Sequence, residues 1–245
     1  MKKIVFLLSI SLALVSCQFS ETMVINEDGS GRMALSVDLS EMMAFGGEMS
    51  QDSSFVKQDT IIAFRDILEE KKDSISKLPM AEQERLKAMS KYNLKIDTDP
   101  EINKMVVDMF VDFTSVSEAN ELMKGFEQTA EFIPGMKNDP DAEESDPQPE
   151  ILGVEYSFKK GIFKRDAYIK DKERHKAQVD SMQQAEAFMS GMNYTLKYTF
   201  PKRIKKTSTA DAKVSADGRT VTLERSFVDY FKNPDMLDLT VELEK

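Results

Sequence analysis

Met23-Val24-Ile25-Asn26-Glu27-Asp28-Gly29-Ser30-Gly31-Arg32-Met33-Ala34-Leu35-Ser36-Val37-Asp38-Leu39 is the stretch from which the fold can be read. Met33, Leu35, Val37 and Leu39 alternate with Arg32, Ala34, Ser36 and Asp38. Successive side chains of a strand point to opposite sides of a sheet, so this period of two predicts a strand buried on one face. A shorter apolar run, Met23 to Ile25, precedes it, with Asp28-Gly29 between the two. Two extended runs around Asp-Gly signal a β-hairpin, because glycine accepts the positive φ of such a turn. Gln18 to Glu21, just upstream, read as a short tether.

The pattern returns further along the chain. Met105, Val107, Met109, Val111 and Phe113 share one face of a predicted strand, with Asp108 and Asp112 on the other. Leu94 to Asp97 form a shorter strand before it, and Asp99-Pro100 turns the chain between them. Val37-Asp38-Leu39-Ser40 and Val111-Asp112-Phe113-Thr114 both close a strand and open a helix, as in a β-turn-β-α unit used twice; chance similarity of two amphipathic strands explains the match equally well. Val154, Tyr156 and Phe158 lead through Lys160-Gly161 to a returning strand, Phe163 to Ile169. Tyr194, Leu196, Tyr198 and Phe200 alternate with polar residues. Asp217-Gly218 joins another hairpin, and Leu237, Leu239, Val241 and Leu243 close the chain.

Helical spacing appears between these strands. Ile61, Phe64, Ile67 and Leu68 predict a helix over 55–78, and Leu86 and Met89 a second over 80–91. Ser115 and Glu118 are spaced as a capping box ahead of Ala119, Leu122, Met123 and Phe126. Val179, Met182, Ala185, Met189 and Met192 form the inward stripe of a helix over 171–192. Hairpins separated by helices define an α+β fold, antiparallel β-hairpins forming a sheet packed against several helices. Residues 138–150 carry three prolines, six acidic residues and nothing apolar beyond Ala142. Such a segment reads as a surface loop, or as a joint between halves at 22–137 and 151–245.

The N-terminus speaks to location. Lys2 and Lys3 precede an apolar run from Ile4 to Val15, which is well short of the about 20 residues that a membrane-spanning helix needs. A basic start, an apolar segment and a small residue at the cut mark a secretory signal peptide over 1–16, leaving a mature body over 17–245. Leu14-Val15-Ser16-Cys17 resembles the lipobox of bacterial lipoproteins. That resemblance implies that Cys17, the one cysteine of the chain, becomes the lipid attachment site and holds the body to a membrane. Gln18 in the next position implies sorting to the outer membrane. The Asp28-Gly29-Ser30-Gly31 hairpin after that cysteine, and Ala216-Asp217-Gly218-Arg219-Thr220 near the end, also resemble the LppM-type bacterial lipoprotein domain. Its α+β domain has been likened to lipid-binding folds, which implies an apolar ligand; the helical stretch to Lys91 and the acidic loop depart from that type.

Composition narrows the function. The net charge is −10, and loss of Lys2 and Lys3 with the leader makes it more negative still. That balance disfavours nucleic acid and anionic lipid as main partners. With one cysteine there is no internal disulfide, so the body relies on packing. A single histidine, His175, stands among charges in Lys172-Glu173-Arg174-His175-Lys176 and reads as solvated, which leaves a serine or cysteine triad without support. A His/Cys zinc site is excluded by count, and Asn26 to Gly31 imitates half a calcium loop whose twelfth position is Val37. No metal or cofactor is therefore expected. Pro201-Lys202-Arg203-Ile204-Lys205-Lys206 is the one basic concentration and reads as a solvated strand end. Sixteen methionines, mostly on inward faces, fill a core or line a soft apolar cavity. The expectation is a non-enzymatic, lipid-anchored envelope protein that binds a protein partner, or alternatively an apolar ligand. A carboxylate-based hydrolase is the remaining, weaker alternative.

Overall fold

The computed structural model describes residues 18–41, 56–120, 151–183, 186–189 and 191–245. Strands β1 (Gln18–Ile25) and β2 (Gly31–Asp38) form the expected hairpin, with Met23 opposite Met33 and Gln18 opposite Asp38. Gly29 takes φ +85° in its turn, and the Asp28 carboxylate accepts bonds from the Ser30 amide and hydroxyl at 3.0 and 2.6 Å. These bonds give the calcium-like spacing a simpler role, that of an Asx-type turn. Strands β4 (Asn93–Asp99) and β5 (Lys104–Phe113) make a second hairpin, and β5 pairs with β2. On the outer face Arg32 meets Asp112 at 2.6 Å and Ser36 donates to Asp108, both as directly opposed cross-strand pairs.

The sheet grows on both sides of these hairpins. Strand β3 (Gln58–Ala63) adds to β4 at one edge. At the other side β8 (Asn193–Thr199) lies parallel to β1, followed by β11 (Thr220–Ser226) and the short β10 (Lys213–Val214). The order is β10-β11-β8-β1-β2-β5-β4-β3, so β1 sits inside an eight-stranded sheet whose ladders are antiparallel except for β1–β8. Strands β6 (Leu152–Lys159), β7 (Ile162–Ile169), β9 (Ile204–Thr207) and β12 (Leu239–Leu243) form a second sheet, β6-β7-β12-β9.

One face of the large sheet supplies the core. Phe163 of β7 packs edge-on against Tyr198 and Phe200, with ring centroids 5.2 and 5.4 Å apart, so the small sheet covers the β1–β8 region. Met33, Leu94, Met105, Met109 and Phe113 continue the same buried cluster, joined by Phe64 and Met89. Burying one such side chain contributes about 1.5–3 kcal/mol.

Several expectations are corrected. The tether at Gln18–Glu21 is the first half of β1; the acid at position 21 masks the alternation that Met23 and Ile25 continue. The helix read over 55–78 is β3 followed by the short helices α1 (Phe64–Glu70) and α2 (Lys72–Ile75). Thr60-Ile61-Ile62 is β-branched and pairs with β4, which outweighs a helical spacing whose first member, Ile61, is 62% exposed. Helix α3 (Met80–Ala88) and a 3₁₀ turn at Met89–Lys91 match the next expectation, with Met89 buried. The Ser115 side chain makes no cap bond; a 3₁₀ turn, Val116–Glu118, leads into helix at 119–120, the last described residues of this stretch. Instead the Glu118 carboxylate accepts from the Thr114 amide at 3.0 Å and hydroxyl at 2.5 Å, one residue earlier than expected. Leu122, Met123, Phe126 and the 138–150 segment lie outside the described residues. The helix over 171–192 divides into α4 (Lys172–Met182), capped by the Asp171 carboxylate, and α5 (Glu186–Met189). Helix α6 (Phe227–Lys232) follows β11 and was not expected.

Candidate functional site

Where β1 meets the small sheet, the core holds two charges. Glu21 lies on the buried face of β1 beside Met23, and Arg165 lies on the buried face of β7 between Phe163 and Ala167. Both side chains are fully shielded from solvent, and Arg165 Nη2 stands 3.2 Å from Glu21 Oε2. Three phenols complete the carboxylate's shell. Tyr156 donates to Oε1 at 2.6 Å, Tyr198 donates to the same oxygen, and Tyr194 donates to Oε2 at 3.1 Å. Arg165 Nε spans both oxygens at a long 3.4 Å, while Nη1 donates to the Leu237 carbonyl at 3.2 Å. The Tyr230 ring lies 5.9 Å from the guanidinium carbon, within cation–π range.

The cluster draws on both sheets. Glu21, Tyr194 and Tyr198 come from the paired strands β1 and β8, Tyr156 and Arg165 from the paired strands β6 and β7. Burial pushes the phenols of Tyr156, Tyr194 and Tyr198 well above the usual tyrosine value, and the adjacent Glu21 charge pushes the same way. They stay protonated and remain donors. Burial is the largest single influence on Arg165 and works against its charge, but Glu21 and the tyrosine oxygens of Tyr198, Tyr156 and Tyr230 together outweigh it and hold the guanidinium protonated. A buried carboxylate needs such a partner and such donors, because leaving either charge unpaired costs several kcal/mol. The closed shell leaves the carboxylate no exposed face, and its chemistry is that of a junction between sheets.

The residues singled out from sequence are not brought together. Cys17 lies outside the described residues. His175 is not solvated: it is 7% exposed, and its Nε2 donates to the Phe231 carbonyl at 2.7 Å, tying α4 to α6. Lys172, Glu173 and Lys176 around it are exposed while His175 is buried, a difference that a linear reading of Lys172 to Lys176 conceals. The basic run is absorbed into local structure: Lys205 pairs with Glu242 at 2.5 Å and Arg203 donates to the Asp217 carbonyl at 3.0 Å. Met23, Met33, Met105 and Met109 are packed, and the free space beside Met33, Tyr92 and Met109 is about 10 Å³. That volume suits about one water molecule. Among the described residues no group of three or more His, Cys, Asp or Glu is placed to hold a metal ion.

Sequence reasoning passed over Glu21, Arg165 and the three tyrosines as a group. A signal was present, since Glu21 has the parity of Met23 and Ile25, and Arg165 that of Phe163 and Ala167. One acid and one base on buried strand faces imply each other.

No protein-family model matches the chain, and no curated protein matches it. Among solved structures the chain is similar to the folded domain of the Mycobacterium tuberculosis LppM protein, determined by NMR. The TM-score is 0.40 at 8% identity, over 93% of this chain and 89% of that one.

Proposed function

We propose that this protein is a lipid-anchored accessory or binding protein of the cell envelope, held at the outer membrane through Cys17 and working by association rather than catalysis. The lipobox-like Leu14-Val15-Ser16-Cys17 carries the reading. The fold supports it in one respect: Gln18, next to Cys17 in sequence, already belongs to β1, an internal strand of the large sheet, so an acyl chain on Cys17 would be carried close to that strand. Among the described residues no helix is long and apolar enough to cross a membrane. Intact mass of the chain purified from membranes tests the anchor; cleavage before Cys17 with added acyl mass is expected, and a free thiol with an uncut leader overturns it. The partner is sought by crosslinking in intact envelopes followed by pull-down, and a monomer with no reproducible partner counts against association.

A further inference from the structure

The strand register places a second membrane contact beside the anchor. Gln18 is opposite Asp38, Asp38 is opposite Val106, and Val106 is opposite Asp97. The β4–β5 turn therefore leaves the sheet at the Gln18 end and continues past that level. It carries Ile102 in a 3₁₀ turn at Pro100–Ile102, with Ile102 68% exposed. Val56, 55% exposed, lies at the same end of the sheet, since its carbonyl accepts from the Thr98 hydroxyl at 2.7 Å and Gln58, two residues on, is opposite Thr98. Three strand spacings separate β1 from β4, about 15 Å sideways. From Asp97 to Ile102 the chain advances about 10 Å beyond the Gln18 level, less what the sheet's twist subtracts. Only one residue step, about 3.3 Å, separates Gln18 from Cys17.

Resting on the anchored reading above, we propose that this end of the large sheet docks on the bilayer, with Ile102 and Val56 set among the headgroups of neutral phospholipid. An anchor with no linker fixes the first strand at the lipid boundary, and the neighbouring turn projects to the same boundary. Exposed branched apolar side chains gain there what they lose in water. The local acids are already engaged: Asp99 pairs with Lys57 at 2.6 Å and Asp97 with Lys104 at 2.7 Å. Glu101 stays next to Ile102, which keeps the contact at headgroup depth. The chain's overall −10 charge sets neutral rather than anionic lipid as the surface.

The chain contains no tryptophan, so a single introduced one reports depth without background. Ile102→Trp is compared with Leu78→Trp, an exposed position after α2 on the helical excursion between β3 and β4. Each full-length protein is purified with its native modification and reconstituted into phosphatidylcholine vesicles, with or without brominated phosphatidylcholine. The protein should float with the vesicles, and bromine should quench the position-102 emission at least about twofold while leaving position 78 nearly unchanged. Flotation with equal quenching at both positions overturns the docking and leaves the anchor standing. Failure of the chain to float overturns the anchor, and the docking with it.

Discussion

Replacing Glu21 with Gln strips the buried cluster of its negative charge while keeping its shape. Arg165 then stays charged and fully shielded with no counter-charge at 3.2 Å, and one of the carboxylate oxygens that accept from Tyr156, Tyr194 and Tyr198 becomes an amide donor. Breaking one side of a buried pair costs about 3–5 kcal/mol. Against a total of about 5–15 kcal/mol, that is a large share of the fold's stability. At about 2–4 °C per kcal/mol for a domain of this size, Tm should fall by roughly 6–20 °C. Arg165→Met should cost a similar amount, because it leaves the Glu21 carboxyl fully buried with no counter-charge. The double change Glu21→Leu with Arg165→Met should cost far less than the two single losses together, since no charge is then stranded. Urea unfolding followed by far-ultraviolet circular dichroism on Glu21→Leu, Arg165→Met and the double variant gives the cycle, with Glu21→Gln measured beside it. Single losses that add to within about 0.5 kcal/mol would show that the two residues do not act as a pair, and would refute the junction.

Alkaline pH should act on the same cluster. The phenols of Tyr156, Tyr194 and Tyr198 are held above the ordinary value of 10.0, so their contribution is complete below pH 10.0 and is lost as pH rises towards their folded values. Phenolate absorbance for these three should appear together with loss of circular dichroism, and three separate titrations in a folded protein would contradict this. Asn120→Ala should cost about 1–2 kcal/mol, because the Asn120 amide accepts from the Tyr156 backbone N–H at 2.5 Å and donates to its carbonyl at 3.4 Å, covering that part of the β6 edge. Faster hydrogen exchange at the Tyr156 amide is the check. Gly31→Ala should cost at least about 1–3 kcal/mol, since a Cβ there would stand 2.0 Å from the Val24 carbonyl oxygen and 2.5 Å from the Phe113 ring. A shift in the urea midpoint measures it.

How far the sequence carries can be judged from particular residues. Both Asp-Gly hairpins and the β5 and β8 strands are legible because the turn chemistry and the period of two are local, and each falls where the residues place it. The parallel β1–β8 pair is not legible, since no local signal states which strand lies beside which across nearly the length of the chain. Strand β3 was hidden for a related reason: its identity comes from β4's open edge, and its own residues fit a helix nearly as well. Glu21 was hidden by its own charge. An acid inside an apolar strand face looks like the end of the strand until Arg165 is set opposite it.

The place of that acid gives the buried pair a meaning beyond stability. Glu21 lies four residues after Cys17, on a strand paired with β2 through eight residues and with β8 through seven. If Cys17 is the attachment point, any pull between membrane and body enters along β1. Hydrogen bonds perpendicular to a strand resist such a pull together rather than one at a time. The ladders hold β1 within its sheet, but they do nothing to stop the large sheet from parting from the small one. Glu21 meets that second requirement, because its bonds to Tyr156 and Arg165 run from β1 into the other sheet. An apolar pair of the same volume would fill the space without directional bonds across it. On this argument the charge is kept where packing alone could have served. The double variant carrying Glu21→Leu and Arg165→Met should therefore keep more of its stability in solution than of its resistance to force applied at residue 17.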